Sequence, residues 1–130
     1  MTGIAGGYLP KLKQVIKVNK LFGFYASLLT GRQQEILKLY YYHDLSLGEI
    51  AENQDISRQA VYDNLKRSEK ALKNYEEKLN LLECYDGVQE ELDKLDSLVQ
   101  EFEAKLSKND LTRLKDILSR LQSYQEGELE

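Results

Sequence analysis

The chain has 130 residues, 42% hydrophobic and 31% charged, which is enough for one compact domain or for a small domain with a helical extension. No segment reaches the roughly 18–20 consecutive apolar residues that a helix needs to cross a bilayer, which excludes a membrane span. Cys84 is the only cysteine, so an internal disulfide is excluded. The composition fits a soluble protein of the reducing cytoplasm.

The net charge of −4 is distributed unevenly along the chain. Residues 1–45 carry +4, residues 46–80 carry −1 and residues 81–130 carry −7. Positive charge is therefore concentrated near the amino terminus, where residues 1–18 are predicted to form a disordered or basic lead-in. The candidate phosphate-binding lysines there are Lys11, Lys13, Lys17 and Lys20.

Helical periodicity runs through most of the chain, and no window alternates as a β-strand does. The first apolar stripe is predicted to face the core and consists of Leu21, Phe22, Tyr25, Leu28 and Leu29. Thr30 and Gln33 then form the T-x-x-Q pattern of a capping box, which predicts that a helix begins there. Its buried stripe is predicted to contain Ile36, Leu37 and Tyr40.

Two further caps lie close together in the middle of the chain. Ser46, with Glu49 three residues later, predicts the start of one helix, and Ser57 predicts the start of another. The two serines are eleven positions apart, which leaves room for a two-turn helix and a tight turn. This spacing predicts a helix-turn-helix.

The residues of this motif fit the requirements of each position. Ala51 is small enough for close approach of the two helices, and Asp55 tolerates the left-handed backbone that the turn needs. The side chains predicted to face outward from the second helix are Arg58, Gln59, Tyr62, Asp63, Lys66 and Arg67. Such residues can reach base edges in a major groove, and Ser57 at the start of the helix is a candidate phosphate contact.

The helix that begins at Ser57 is predicted to continue for about 28 residues, or roughly 40 Å, because nothing interrupts it before Gly87. Its coiled-coil-like seam consists of Val61, Leu65, Ser68, Leu72, Tyr75, Leu79 and Leu82. Two acidic amphipathic helices follow, the second capped by Asn109, and are predicted to form a hairpin. The seam or the stripes of the hairpin are expected to support a homo-oligomer. Cys84 is expected to be packed.

The stretch LTGRQQEILKLYYYHDLSLGEIAENQDISRQAVYDNLKRSEKAL resembles the fourth region of sigma factors. Within it, YYYHDLSLGEIAE and ISRQAVYDNLKR, followed by EKALKNYEEKL, resemble the YlxM family, and the similarity covers residues 19–82. The predicted fold is all-α: a wingless helix-turn-helix bundle over residues 19–67, a helical extension over residues 68–124, and a frayed tail over residues 125–130.

The YlxM family is associated with the bacterial signal recognition particle, largely because its genes neighbour those of the particle's GTPase and its receptor. The resemblance therefore implies a regulatory or accessory role in that pathway, with the GTPase, its receptor or the particle RNA as partners. The alternative is a sequence-specific, DNA-binding transcriptional regulator. Residues 46–67 contain four acids against three basic residues, which favours the accessory role, whereas the intact motif favours the regulator.

The sequence contains no arrangement of residues that would support catalysis. A nucleophile with its base, a phosphate-binding glycine loop and carboxylates at metal-ligand spacing are all missing. His43 stands alone beside Asp44 and is read as a helix-end residue. We therefore expect a protein that is not an enzyme and that uses no metal or other cofactor.

Overall fold

A computed structural model describes residues 12–127 and shows six α-helices in that range. They are α1 (Leu12–Tyr25), α2 (Gly31–Tyr41), α3 (Leu47–Gln54), α4 (Arg58–Leu79), α5 (Leu81–Glu101) and α6 (Lys108–Gly127). The described residues contain no β-strand, which confirms the predicted all-α class. None of these helices is both long enough and apolar enough to cross a membrane.

The chain divides into two compact units, and the first ends at Leu79. In this unit α4 packs against α1, α2 and α3, and the apolar stripes of all four helices meet in one core. Its buried apolar side chains are Val18, Leu21, Phe22, Tyr25, Leu29, Ile36, Leu37, Tyr40, Leu47, Ile50, Ala51, Val61, Leu65 and Leu72. The predicted motif therefore packs on a continuous apolar core.

The helix starts in this unit are where the sequence predicts them. Thr30 and Gln33 form the complete capping box of α2, and Ser46 and Glu49 form that of α3. In each box the hydroxyl of the capping residue accepts a hydrogen bond from the backbone amide of the third helical residue. The side chain of that third residue accepts a hydrogen bond from the backbone amide of the capping residue. Leu28 differs from the prediction because a 3₁₀ turn at Ala26–Leu28 leaves it half exposed.

The prediction of one helix of about 28 residues after Ser57 is wrong. Helix α4 ends at Leu79, and Asn80 adopts a left-handed backbone conformation with φ 54°, which an α-helix cannot continue through. Gly87 does not end a helix, since α5 runs through it. The seam residues Val61, Leu65, Ser68 and Leu72 are buried within the first unit, so the bundle extends to Leu79, beyond the predicted boundary at residue 67.

The second unit, from Asn80 onward, is the predicted hairpin, with α5 packed against α6. The amide of Asp110 donates to the Ser107 hydroxyl at 3.1 Å, so Ser107 caps α6 in place of Asn109. Gln125 is buried and donates to the carbonyl of Tyr85 at 2.8 Å. Residues 125–127 therefore belong to α6 and not to a frayed tail, while residues 128–130 lie outside the described range.

The lead-in predicted for residues 1–18 also differs from the structure, because α1 begins at Leu12. An apolar stripe that includes Val18 and Leu21 holds this helix on α4. Lys13, Lys17 and Lys20 are consequently helical residues. Lys11 lies outside the described residues.

Candidate nucleic-acid interface

The turn between α3 and α4 has the geometry of a helix-turn-helix. Asp55 has φ 55° and ψ 48°, and its amide donates to the carbonyls of Ala51 and Glu52. The next amide, of Ile56, donates to the Ala51 carbonyl at 3.0 Å. These bonds satisfy the last carbonyls of α3 and reverse the chain within three residues, so the predicted left-handed turn at Asp55 is confirmed.

The first turn of α4 is fixed by a side-chain cap. The hydroxyl of Ser57 accepts the amide of Ala60 at 3.0 Å, as the sequence predicts. Arg58 and Gln59 then begin the helix with exposed side chains. A Cβ atom on Gly48 would lie 3.8 Å from Nε of Arg58, so the arginine side chain lies across the first turn of α3.

The predicted outward residues of α4 are spread over about half of its circumference, since Arg58 and Arg67 are nine residues apart and point in opposite directions. Arg58, Gln59, Asp63 and Arg67 are exposed, whereas Tyr62 and Lys66 are half-buried. Val61 and Leu65 point the other way and are fully buried. We call the half of the α4 surface that carries these six residues, from Arg58 to Lys73, the outward face.

Local contacts restrain several side chains of the outward face. Nε2 of Gln59 donates to Oδ1 of Asp63 at 3.0 Å, one helical turn later. Nζ of Lys66 lies 5.6 Å from the centroid of the Tyr62 ring and 4.0 Å from a carboxylate oxygen of Glu69. The bond to Asp63 uses one of the two hydrogens of Nε2 and leaves the other hydrogen and Oε1 of Gln59 to pair with a base edge.

Two cations of this face are not among the residues predicted from the sequence. Lys70 and Lys73 are exposed and follow Lys66 at intervals of four and three residues, which keeps all three on one side of the helix. With them, the outward face carries five basic residues against the single acid Asp63, a net charge of +4. The other acids of the motif lie on α3 and in the turn, so the charge of residues 46–67 understates that of the face.

A buried carboxylate anchors α4 to the helices beneath it. Glu69 is only 4% exposed and accepts hydrogen bonds from the Tyr41 hydroxyl on α2, at 2.7 Å, and from Nε2 of Gln14 on α1, at 3.3 Å. Burial, followed by the nearby charges of Glu69 and Asp44, raises the pKa of Tyr40 to about 12. These polar links fix the rotation of α4 and hence the direction in which its outward face points.

The other candidate residues are placed as follows. Lys13, Lys17 and Lys20 are exposed on α1, on the side away from the buried Val18 and Leu21. Cys84 is exposed, contrary to the prediction that it would be packed. Among residues 12–127 no group of three or more His, Cys, Asp or Glu side chains is arranged to hold a metal ion.

Comparison with known proteins shows which proteins the chain is similar to. The model of the UPF0122 family, described as "Putative helix-turn-helix protein, YlxM / p13 like", matches residues 12–110. UPF0122 proteins from Bacillus cereus (strain AH187) and Bacillus anthracis (strain A0248) are each 53% identical to the chain over 92 residues. The aligned region covers 71% of this chain and 84% of each relative. The match includes the whole helix-turn-helix.

Proposed function

The chain belongs to the UPF0122 family of helix-turn-helix proteins, and on that premise we propose that it binds nucleic acid through the outward face of α4. The observation that carries the proposal is the net charge of +4 on that face, with Arg58 and Gln59 at its amino-terminal end. Cations supply most of the affinity for phosphates, and the first residues of a recognition helix reach the base edges.

Double-stranded DNA is the nucleic acid that fits this face best. The major groove of B-form DNA admits an α-helix, whereas that of A-form RNA is too deep and narrow for side chains to read. Arg58 and Gln59 are residue types that pair with guanine and adenine edges, respectively. Lys66, Arg67, Lys70 and Lys73 would contact phosphates along the groove. In this form the protein is a sequence-specific DNA-binding regulator.

A second candidate is an accessory role in the signal recognition particle pathway, as the resemblance to the YlxM family implies. The observation that favours it is Asp63, an exposed carboxylate in the middle of the outward face that also holds the Gln59 amide at 3.0 Å. A carboxylate there repels phosphates but suits a protein surface that carries basic residues. Among the partners that the resemblance implies, this carboxylate favours the particle GTPase or its receptor over the particle RNA.

One experiment separates these candidates. The full chain is titrated, at several salt concentrations, against a randomised DNA pool followed by the selected site, against the particle RNA, and against the GTPase and its receptor. The regulator predicts a selected DNA site that still binds at physiological salt. The accessory role predicts that binding to DNA disappears there while binding to the RNA, the GTPase or the receptor persists.

Matched variants show whether the outward face is responsible for any binding. Gln59→Ala removes the proposed base contact together with the hydrogen bond to Asp63. Gln89→Ala removes an equivalent hydrogen bond on α5, where Nε2 donates to Oδ1 of Asp93 at 3.1 Å. We expect only Gln59→Ala to weaken binding. Equal effects of the two substitutions, or none from either, would count against the outward face.

A further inference from the structure

The hairpin of α5 and α6 leaves a large apolar surface exposed. On each helix one apolar stripe faces the other helix, and a second stripe beside it remains in contact with water. The side chains of this second stripe are between 37% and 68% exposed and are Val88, Leu95, Leu98, Phe102, Leu114, Ile117, Leu121 and Tyr124. A scattered apolar residue on a surface is ordinary, but eight such residues on one small unit are not.

Three residues of these stripes, Val88, Leu95 and Leu121, line one groove. Cys84, Gly87, Val88, Leu92 and Leu95 of α5 line it together with Leu121 of α6, and they enclose an open volume of about 440 Å³. The groove therefore lies between the first half of α5 and the part of α6 around Leu121. We call the surface made of this groove and the eight exposed apolar side chains the hairpin groove.

From this surface we infer that the hairpin groove is the dimer interface of the protein, and that its occupant is the same groove of a second copy. Two hairpins that meet groove to groove make a four-helix bundle, in which the stripes of all four helices are buried. The contact is isologous, so one self-complementary surface is sufficient for both copies. This inference does not depend on nucleic-acid binding.

The apolar area matches what a stable dimer needs. At about 150 Å² for each fully exposed large side chain, the exposed fractions of the eight residues amount to roughly 550 Å² of apolar surface. A typical interface buries about 800 Å² on each partner, of which about 60% is apolar, or close to 500 Å². The eight side chains thus expose about as much apolar surface as each partner contributes to an ordinary dimer interface.

The core of the hairpin also indicates that it needs a partner. Among the described residues of this unit only Leu82, Leu92, Val99 and Leu118 are buried apolar side chains, against fourteen in the first unit. A hairpin of about 50 residues with so small a core is below the size that usually folds without further stabilisation. A second copy would supply the missing half of the core.

The distribution of charge favours a second copy over a basic partner. Residues 80–127 carry eleven acids against six basic residues, but on α5 the helical spacing places Asp86 and Asp93 on the side opposite the groove. Glu91 is the acid that lines the groove, and its carboxylate lies 3.2 Å from Nζ of Lys94. Two copies can therefore approach without placing their acidic faces together.

The experiment is sedimentation of the full chain over a range of concentrations, with charge introduced on either side of the hairpin. Leu95→Glu with Leu121→Glu places two charges in the groove, at positions that are each 40% exposed and so tolerate polar atoms. Ser97→Glu with Ser119→Glu adds the same charge on the opposite sides of the same helices, where both serines are exposed. We expect a dimer for the wild type and the serine variant, and a helical monomer for the leucine variant.

Measurements on the wild type keep the test valid if the leucine variant fails to fold. Dilution should increase both amide exchange around Leu95 and Leu121 and the rate at which a maleimide labels Cys84, because the groove opens when the dimer dissociates. A wild type that is monomeric at high micromolar concentration would assign the groove to another occupant and overturn the proposal. A dimer that persists in a folded leucine variant, or exchange and labelling that do not change on dilution, would also overturn it.

Discussion

The hydroxyl of Tyr41 donates a hydrogen bond of 2.7 Å to the buried carboxylate of Glu69 and thereby joins α2 to α4. Gln14 of α1 donates to the other oxygen of the same carboxylate, at 3.3 Å. One acid therefore ties three helices together beneath the outward face. Because a buried carboxylate is costly unless its oxygens accept hydrogen bonds, the loss of one donor should lower the free energy of unfolding of the whole unit.

Tyr41→Phe should lower the free energy of unfolding by about 1–3 kcal/mol, since it removes a hydrogen bond to a charged and buried acceptor. Tyr42→Phe is the matched control, because Tyr42 is its neighbour in sequence and is 52% exposed. We expect the control to stay within about 0.5 kcal/mol of the wild type. Urea unfolding followed by circular dichroism measures both variants, and equal losses would show that the bond to Glu69 contributes no more than an exposed hydroxyl.

The left-handed turn at Asp55 predicts that replacing an aspartate by glycine changes the free energy of unfolding in opposite directions at two positions. Asp55→Gly should raise the free energy of unfolding by about 0.5–1 kcal/mol, because glycine adopts φ 55° without the strain that a Cβ causes. Asp63→Gly, in the exposed interior of α4, should instead lower it by about 0.3 kcal/mol, the difference between the helix propensities of aspartate and glycine. Thermal unfolding of the two variants tests the pair. A loss of stability in Asp55→Gly would mean that the aspartate side chain stabilises the turn.

The raised pKa of Tyr40 predicts a loss of stability at alkaline pH. In the unfolded chain tyrosine ionises near pH 10, whereas in the folded protein Tyr40 keeps its proton until pH about 12, because it is buried near Glu69 and Asp44. Above pH 10 the unfolded state alone loses the proton, so stability falls between pH 10 and 12. Tyr40→Phe should make that fall shallower in melts over this range. Tyr124→Phe, at a residue 68% exposed, should leave it as steep as in the wild type.

The parts of the fold that the sequence predicted correctly depend on local chemistry. The boxes at Thr30 and Ser46, the cap at Ser57 and the turn at Asp55 involve hydrogen bonds between residues at most five apart, so their residue types are visible as short patterns. The end of α4 was not predicted, because the local apolar pattern continues across it. Leu79 and Leu82 continue the apolar spacing across Asn80, and this spacing outweighed the one local signal there, since asparagine adopts the left-handed backbone more readily than most residues.

The features of the site that sequence reasoning missed depend on long-range contacts or on an arbitrary boundary. Glu69 is separated from its donors by 28 and 55 residues, so no periodicity brings them together. Lys70 and Lys73 lie beyond Arg67, where the predicted motif ends, although the helix continues. Their positions are nevertheless visible in the sequence, because intervals of four and three residues place them on the same side of the helix as Lys66.

Substitutions at the two ends of the outward face should have different effects on DNA binding, because one end is proposed to contact bases and the other to contact phosphates. Lys70→Ala with Lys73→Ala removes two cations without touching Arg58 or Gln59, so affinity should fall for every DNA sequence alike. The slope of log affinity against log salt should become shallower by about 0.9 for each lost phosphate contact, or nearly two in all. Lys94→Ala with Lys108→Ala removes the same charge from the hairpin and should leave the slope nearly unchanged.

Gln59→Ala should have the opposite signature in the same assay. Its loss removes a base contact, so binding to the selected site should weaken by about 1–3 kcal/mol, with little change for random DNA or in the salt slope. The two signatures are separable because Gln59 lies at the front of α4 and the lysines lie more than two turns later. If the lysine variant lost selectivity, or if Gln59→Ala weakened all DNA alike, the helix would not enter the groove as proposed. The accessory role would then be the better account of this face.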